Sequence, residues 1–286
     1  MVQKSERLRI PGRTAARGAR PLGNVTRGTT NPNRMRRVDR WVTGTQAWRF
    51  RHLAAPLAVD LGYGANPRTA IELFERLRVV NHRLRLTGLE IEPGRVARAL
   101  LEARSGLDFQ LGGFEIPVPD APVLIRAFNV LRQYDEADVA GIWSALTARL
   151  APGGLLVEGT CDELGRTAAW VALDDGGPLS LHLSVNLAAL ESPAQLAERL
   201  PKALIHRNVP GEKVHSLLAA AEQAWLAAAP LAGFGKRQRW IAMCTALRAV
   251  GWPVLDGVSR FRLGELSVAW DAVAPDGLGR SDHQLL

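Results

Sequence analysis

Two acids and a pair of glycines carry the strongest chemical signal in this chain. Asp60 lies within the apolar run Leu57-Ala-Val-Asp-Leu61 and is followed by Gly62, Tyr63 and Gly64. Glu90 closes the next apolar run, Arg85-Leu-Thr-Gly-Leu-Glu90. Gly62 and Gly64 supply backbone freedom and leave no Cβ to obstruct a ligand. A carboxylate beside such a turn suits a cationic or zwitterionic ligand and disfavours a pyrophosphate. The dinucleotide fingerprint G-x-G-x-x-G also fails, because its third glycine falls on Pro67. A carboxylate at the tip of the following strand can accept two hydrogen bonds from a ribose diol.

These residues need a strand, a bare turn and a helix to hold them. Leu57, Ala58, Val59 and Leu61 read as a central parallel strand. Asn66 can cap a helix, and Pro67 suits its first position. Ile71, Phe74 and Leu77 then form one helical face. Residues 85–90 read as a second strand, and Leu107 to Phe114 as a third strand and turn. Pro122 to Leu131 is an apolar run suited to a fourth strand, with Asn129 polar near its end. A helix with Val139, Ile142, Trp143, Leu146 and Leu150 inward stops at Pro152-Gly-Gly154, and Leu155 to Thr160 reads as strand five.

In these motifs the chain resembles the class I S-adenosylmethionine-dependent methyltransferases over about residues 53–160. The matching stretches are Asp60-Leu-Gly62-Tyr-Gly64-Ala-Asn66, Gly88-Leu-Glu90 and Leu150-Ala-Pro-Gly-Gly-Leu-Leu-Val157. Asn66 stands where many members carry a third glycine, and Asn tolerates a left-handed backbone. The resemblance implies a doubly wound, mostly parallel seven-stranded α/β sheet of Rossmann-like type, finished by an antiparallel hairpin. It implies S-adenosyl-L-methionine as cofactor, with Asp60 at the methionyl end, Gly62 and Gly64 beneath it and Glu90 on the ribose. The loop at Gly113 and Phe114 falls near the adenine, where Phe114 either stacks or packs in the core. Asn129 faces the transferring methyl group, or else caps or turns the chain. The reaction is direct in-line transfer, needing no metal and no covalent protein nucleophile.

The flanking regions set the boundaries. Residues 1–51 hold Lys4 and twelve arginines against Glu6 and Asp39, a net +11, although the whole chain is only +8. The basic character therefore belongs to the leading segment. Residues 1–32 read as a disordered arm, either solvated or able to attract RNA or another polyanion. Met35, Val38, Trp41 and Val42 form a helical face that closes the cofactor pocket or packs on the sheet edge. Arg34, Arg36, Arg37 and Arg40 read as its solvated side. The domain spans 33–275, followed by a frayed tail at 276–286. Residues 161–234 read as a substrate-side insertion, with the closing hairpin at 252–261 and 265–273. In a competing arrangement, 167–187 is that hairpin. Lys202, His206, Arg207 and Asn208 lie in a polar loop; His206 could remove a proton from an acceptor or simply be solvated.

Composition excludes several classes. No 18-residue apolar run signals a membrane span, and the N-terminus does not read as a secretory signal. Cys161 and Cys244 give neither a disulfide framework nor zinc spacing, so a cytoplasmic home is expected, with Cys161 a small packed side chain. Three functions remain open: a methyltransferase for a small-molecule acceptor, one for RNA or protein using the basic arm, and a non-catalytic S-adenosylmethionine-binding module.

Overall fold

A strand that is apolar on both faces must be covered on both faces. Leu57–Leu61 is buried at every position. It forms β1 near the centre of the sheet in a computed structural model describing residues 21–25 and 30–280. Of the basic arm, residues 1–20 and 26–29 lie outside the described residues, as does the tail from 281. The helix α1 (Arg36–Thr45) precedes β1. After β1 come α2 (Arg68–Val80), β2 (Arg85–Glu90), α3 (Pro93–Ala99) and β3 (Leu107–Leu111). Then follow β4 (Leu124–Phe128), α4 (Val139–Thr147), β5 (Leu155–Cys161), β6 (Thr167–Asp174) and β7 (Gly177–Val185). The C-terminal part holds α5 (Lys202–Ile205), α6 (Lys213–Ala227), α7 (Lys236–Ala249), α8 (Val258–Phe261) and β8 (Glu265–Ala269).

The sheet runs β3-β2-β1-β4-β5-β6-β7-β8, parallel from β3 to β5 and antiparallel beyond. It therefore has eight strands where seven are expected. Two cores lie on its two faces. Leu57, Val59 and Leu61 join Ile125, Leu146, Trp225 and Trp240 on one face; Ala58 joins Val38, Trp41, Leu73 and Leu77 on the other. The period-2 alternation of strand side chains makes this division.

The hairpin of residues 167–187 belongs to this sheet and not to an insertion. Ala169, Val171 and Leu173 enter one core, and Ala168, Trp170 and Ala172 the other. Burial on both faces is the signature of an interior strand. The expected closing hairpin at 252–261 does not form. Pro253 has no N–H for a ladder and Gly257 leads into α8, so this stretch makes only an isolated bridge, Val254 to Val268. β8 pairs with β7 instead, and the register sets His182 opposite Ser267. The His182 ring lies between the Ser180 and Ser267 hydroxyls at 2.7 and 2.6 Å, and burial pushes its pKa down to about 3. The residues between β7 and β8 supply α5 to α8, which lie against the first core.

Local signals explain the elements around β1. Asn66 Oδ1 accepts from Arg68 N at 2.9 Å, one residue ahead of the cap position held by Pro67. Glu92 caps α3 by accepting from Gly94 N and Arg95 N. Arg36 and Arg40 are exposed, but Arg34 and Arg37 are not simply solvated. Arg34 donates to Asp162 O at 2.9 Å and Arg37 to Leu263 O at 3.1 Å, tying the first helix region to later loops. Of the expected frayed tail, Leu278 O accepts from Trp270 Nε1 at 2.6 Å and Arg280 pairs with Asp174.

One charged cluster sits inside the second core. Asp60 and Arg126 are register partners on β1 and β4. Arg126 Nε and Nη2 donate to the two Asp60 oxygens at 2.8 and 2.7 Å, while Nη1 donates to Asp39 on α1. Arg126 is fully buried. Burial works against its charge, but the Asp60 and Asp39 carboxylates outweigh that and hold its pKa above the ordinary value. Arg126→Met would strand the buried Asp60 carboxylate and leave buried Asp39 with Arg76 alone. The expected result is a loss of about 3–5 kcal/mol in urea unfolding. Adding Asp39→Asn and Asp60→Asn to the same chain should recover a large part of it.

Candidate functional site

The turn after β1 is shaped by two left-handed glycines, Gly62 at φ +70° and Gly64 at φ +88°. Gly62 N donates to Leu89 O at 2.7 Å, which ties the turn to β2. Gly64 N donates to Glu90 Oε2 at 3.0 Å, and Ile91 N donates to Glu90 Oε1 at 3.0 Å. Arg95 approaches Oε2 at 3.5 Å. Glu90 is thus aimed by backbone donors across the tips of β1 and β2. A carboxylate offers about four lone-pair sites, so capacity remains for a ligand hydroxyl.

The loop after β3 completes the other side. Gly113 N donates to Glu115 Oε1 at 2.8 Å. Phe114 is buried and meets Tyr134 with ring centroids 5.2 Å apart. Burial raises the Tyr134 phenol to about 12, which keeps it protonated. Gly62, Glu90, Ile91, Gly113, Phe114 and Tyr134 line one narrow pocket at the carboxyl edge of the sheet. The chain segment Leu22 to Asn24 lines it too. That segment was expected to be disordered, yet it is anchored here by backbone hydrogen bonds.

Four expected site residues are placed otherwise. Asp60 spends both oxygens on Arg126 and faces the helical layer of α1 and α2, so it is not a free ligand for a methionyl group. Asn66 is exposed and serves the start of α2. Asn129 adopts φ +59°, accepts from Cys161 N at 3.1 Å and donates to Cys161 Sγ at 3.4 Å; it is a turn residue joining the tips of β4 and β5. His206 is exposed, with Lys202 Nζ 3.1 Å from its ring. Its neighbour Arg207 is taken by Glu136 and Glu212. Cys161 is buried, and burial raises its thiol pKa, in keeping with a packed side chain.

Sequence reasoning missed Ile91, Val130 and Tyr134 in the pocket wall, and the Leu22 to Asn24 segment. Only Tyr134 carried a signal, as a polar aromatic just past the fourth strand. Among the described residues, no group of three or more His, Cys, Asp and Glu is arranged to hold a metal ion. No helix there is long and apolar enough to cross a membrane.

An acid not singled out in the sequence lies beneath this edge. Glu158 on β5 is fully buried, beside the Trp143 indole, and burial raises its pKa to about 8. The unfolded chain releases this proton near pH 4.3, well before the folded protein does. The stability it contributes is present in full below that pH and is lost as pH rises towards about 8. Glu158→Gln should therefore flatten the pH dependence of urea unfolding between pH 5 and 8. It should also be the more stable protein at pH 8, by on the order of a few kcal/mol.

No protein-family model matches the chain, and neither does any curated protein. Solved structures align with parts of it. Human N-acetylserotonin methyltransferase in complex with SAM aligns at 21% identity and a TM-score of 0.31, over 46% of this chain and 39% of that one. The mitomycin 7-O-methyltransferase MmcR gives 26% and 0.30, over 42% and 36%. The N-methyltransferase NodS from Bradyrhizobium japonicum gives 22% and 0.32, over 44% and 67%. The chain thus spans less than half the length of the first two. Strand order, parallel core and helices on both faces make this a Rossmann-like α/β fold with an antiparallel end.

Proposed function

We propose that the protein is an S-adenosylmethionine-dependent methyltransferase acting on a small-molecule acceptor. The observation that carries this reading is Glu90. It is a buried carboxylate at the tip of β2, oriented by the Gly64 and Ile91 amides onto a pocket floored by a bare glycine turn. In open parallel sheets this edge is where nucleotides bind, and an acid there suits ribose hydroxyls. Phe114 and Ile91 offer an apolar wall for a base, and Gly113 leaves room for close approach.

The fit is tight in space, and the Gly62 and Gly64 amides are already given to Leu89 O and Glu90. Glu90 keeps an acceptor site for a ribose hydroxyl, and Asp60, held on both oxygens by Arg126, does not line the pocket. The methionyl amine therefore falls to the backbone carbonyls of the Gly62 to Gly64 turn. A bound S-adenosylmethionine supplies an electrophilic methyl on sulfur. The chain's part is to orient it, align an acceptor behind it and exclude water.

A small acceptor is favoured by the roof over β4 and β5. Thr160 at the tip of β5 donates to Arg199 O, and Arg132 donates to Glu198 O at 3.2 Å. Arg207 pairs with Glu136 just ahead of α4. Residues 190–210 are thereby drawn over the edge of the sheet where an acceptor would lie.

Titration calorimetry tests the reading. The protein should bind S-adenosylhomocysteine, and Glu90→Ala should weaken binding at least about tenfold, as the loss of a charged hydrogen-bond acceptor requires. Protein that ignores this ligand and binds NAD in its place would refute the proposal.

A further inference from the structure

Residues 21–24 are remote in sequence from the sheet, yet they are laid across its carboxyl edge. Leu22 N donates to Glu115 Oε2 at 2.9 Å, and Leu22 O accepts from Phe114 N at 3.0 Å. Asn24 N donates to the Tyr134 hydroxyl, and Asn24 O accepts from Gln133 Nε2 at 3.1 Å. The seat is shaped for a backbone. A Cβ on Gly113 would come within 2.0 Å of Leu22 O. Gly23 has φ +144°, and a Cβ on it would lie 3.0 Å from the Tyr134 hydroxyl.

The donor and acceptor pattern is specific. Phe114 N–H and Glu115 carboxylate stand side by side, one giving and one accepting, and Leu22 answers both with its carbonyl and its N–H. An adenine presents the same pair along one edge, a ring-nitrogen acceptor beside an exocyclic amino donor. With the segment seated, the pocket has room for little more than a single water molecule. A small-molecule site usually spans roughly 300–1,000 Å³, so no ligand fits beside the seated segment.

We propose that Leu22 stands in for the adenine edge, so that the 21–24 strap closes the cofactor site and an adenosyl ligand binds by displacing it. The proposal rests on the cofactor reading above and adds competition within the chain. Apparent affinity is then lowered by the fraction of molecules whose strap is seated. Among the described residues, the hydrogen bonds of Leu22 and Asn24 run to the β3 loop and to residues 133–134, and none of them to Glu90. The strap can therefore leave without disturbing Glu90.

Amide hydrogen exchange on the full chain is the direct test. Saturating S-adenosylhomocysteine should speed exchange at the Leu22 and Asn24 amides about tenfold, because both lose their acceptors. Slower exchange would overturn the proposal and make the strap a wall that clamps the ligand. Leu22→Pro, which lacks the N–H given to Glu115, should bind S-adenosylhomocysteine about tenfold more tightly in calorimetry. Equal or weaker affinity would overturn the proposal as well. If neither wild type nor Leu22→Pro binds the ligand, the cofactor reading fails and the strap proposal with it. Binding with unchanged exchange defeats the strap proposal alone.

Discussion

A guanidinium buried between two carboxylates organises this protein. Arg126 projects from β4 into the layer under α1 and α2, grips Asp60 on the neighbouring strand and reaches Asp39 on the helix above. Burying such charges is costly, and the cost is met only when every partner is present in good geometry. The bidentate Arg126–Asp60 contact provides that geometry and joins β1 to β4 through side chains as well as backbone. Arg76 on α2 adds a second cation to Asp39, and Arg126 Nη2 also donates to Thr69 O at 3.0 Å. Two helices and two strands are thereby locked around one point just below the glycine turn.

This has a chemical consequence. An acid ahead of alternating glycines invites the reading that it binds a ligand. Here it is a structural anchor, and the acid facing the pocket is the one on the next strand. The division follows strand periodicity. Leu61 and its face look towards the core shared with Phe114 and Tyr134, whereas Asp60 looks the opposite way, into the layer beneath α1 and α2. The bare turn still matters, because Gly64 lends its amide to Glu90 and fixes where that carboxylate points.

Much of the architecture was legible in the residues. The apolar runs from Leu57 to Leu61 and from Leu155 to Thr160, the helical face of α4, and the helix at Val38 and Trp41 all appear as read. The less legible parts have physical reasons. Arg126 lies inside an otherwise apolar strand and Asp39 inside a buried helical face; each is a charge in an apolar pattern, but their meeting is tertiary. The sheet's far end was ambiguous because two hairpin patterns compete, and only burial on both faces of residues 168–173 settles which one enters the sheet. The strap was illegible for another reason. Its hydrogen bonds are made by backbone atoms of Leu22 and Asn24, which no residue type announces.

The central claim is that Glu90 binds ligand while Asp60 holds the fold, and a crystal structure with S-adenosylhomocysteine bound tests it most directly. The account predicts ribose hydroxyls within hydrogen-bond distance of Glu90, Asp60 still paired to Arg126, and the Phe114 amide turned from Leu22 to the base. A ligand amine seated on Asp60 with Arg126 released, or a ligand bound away from the carboxyl edge of β1 and β2, would contradict it.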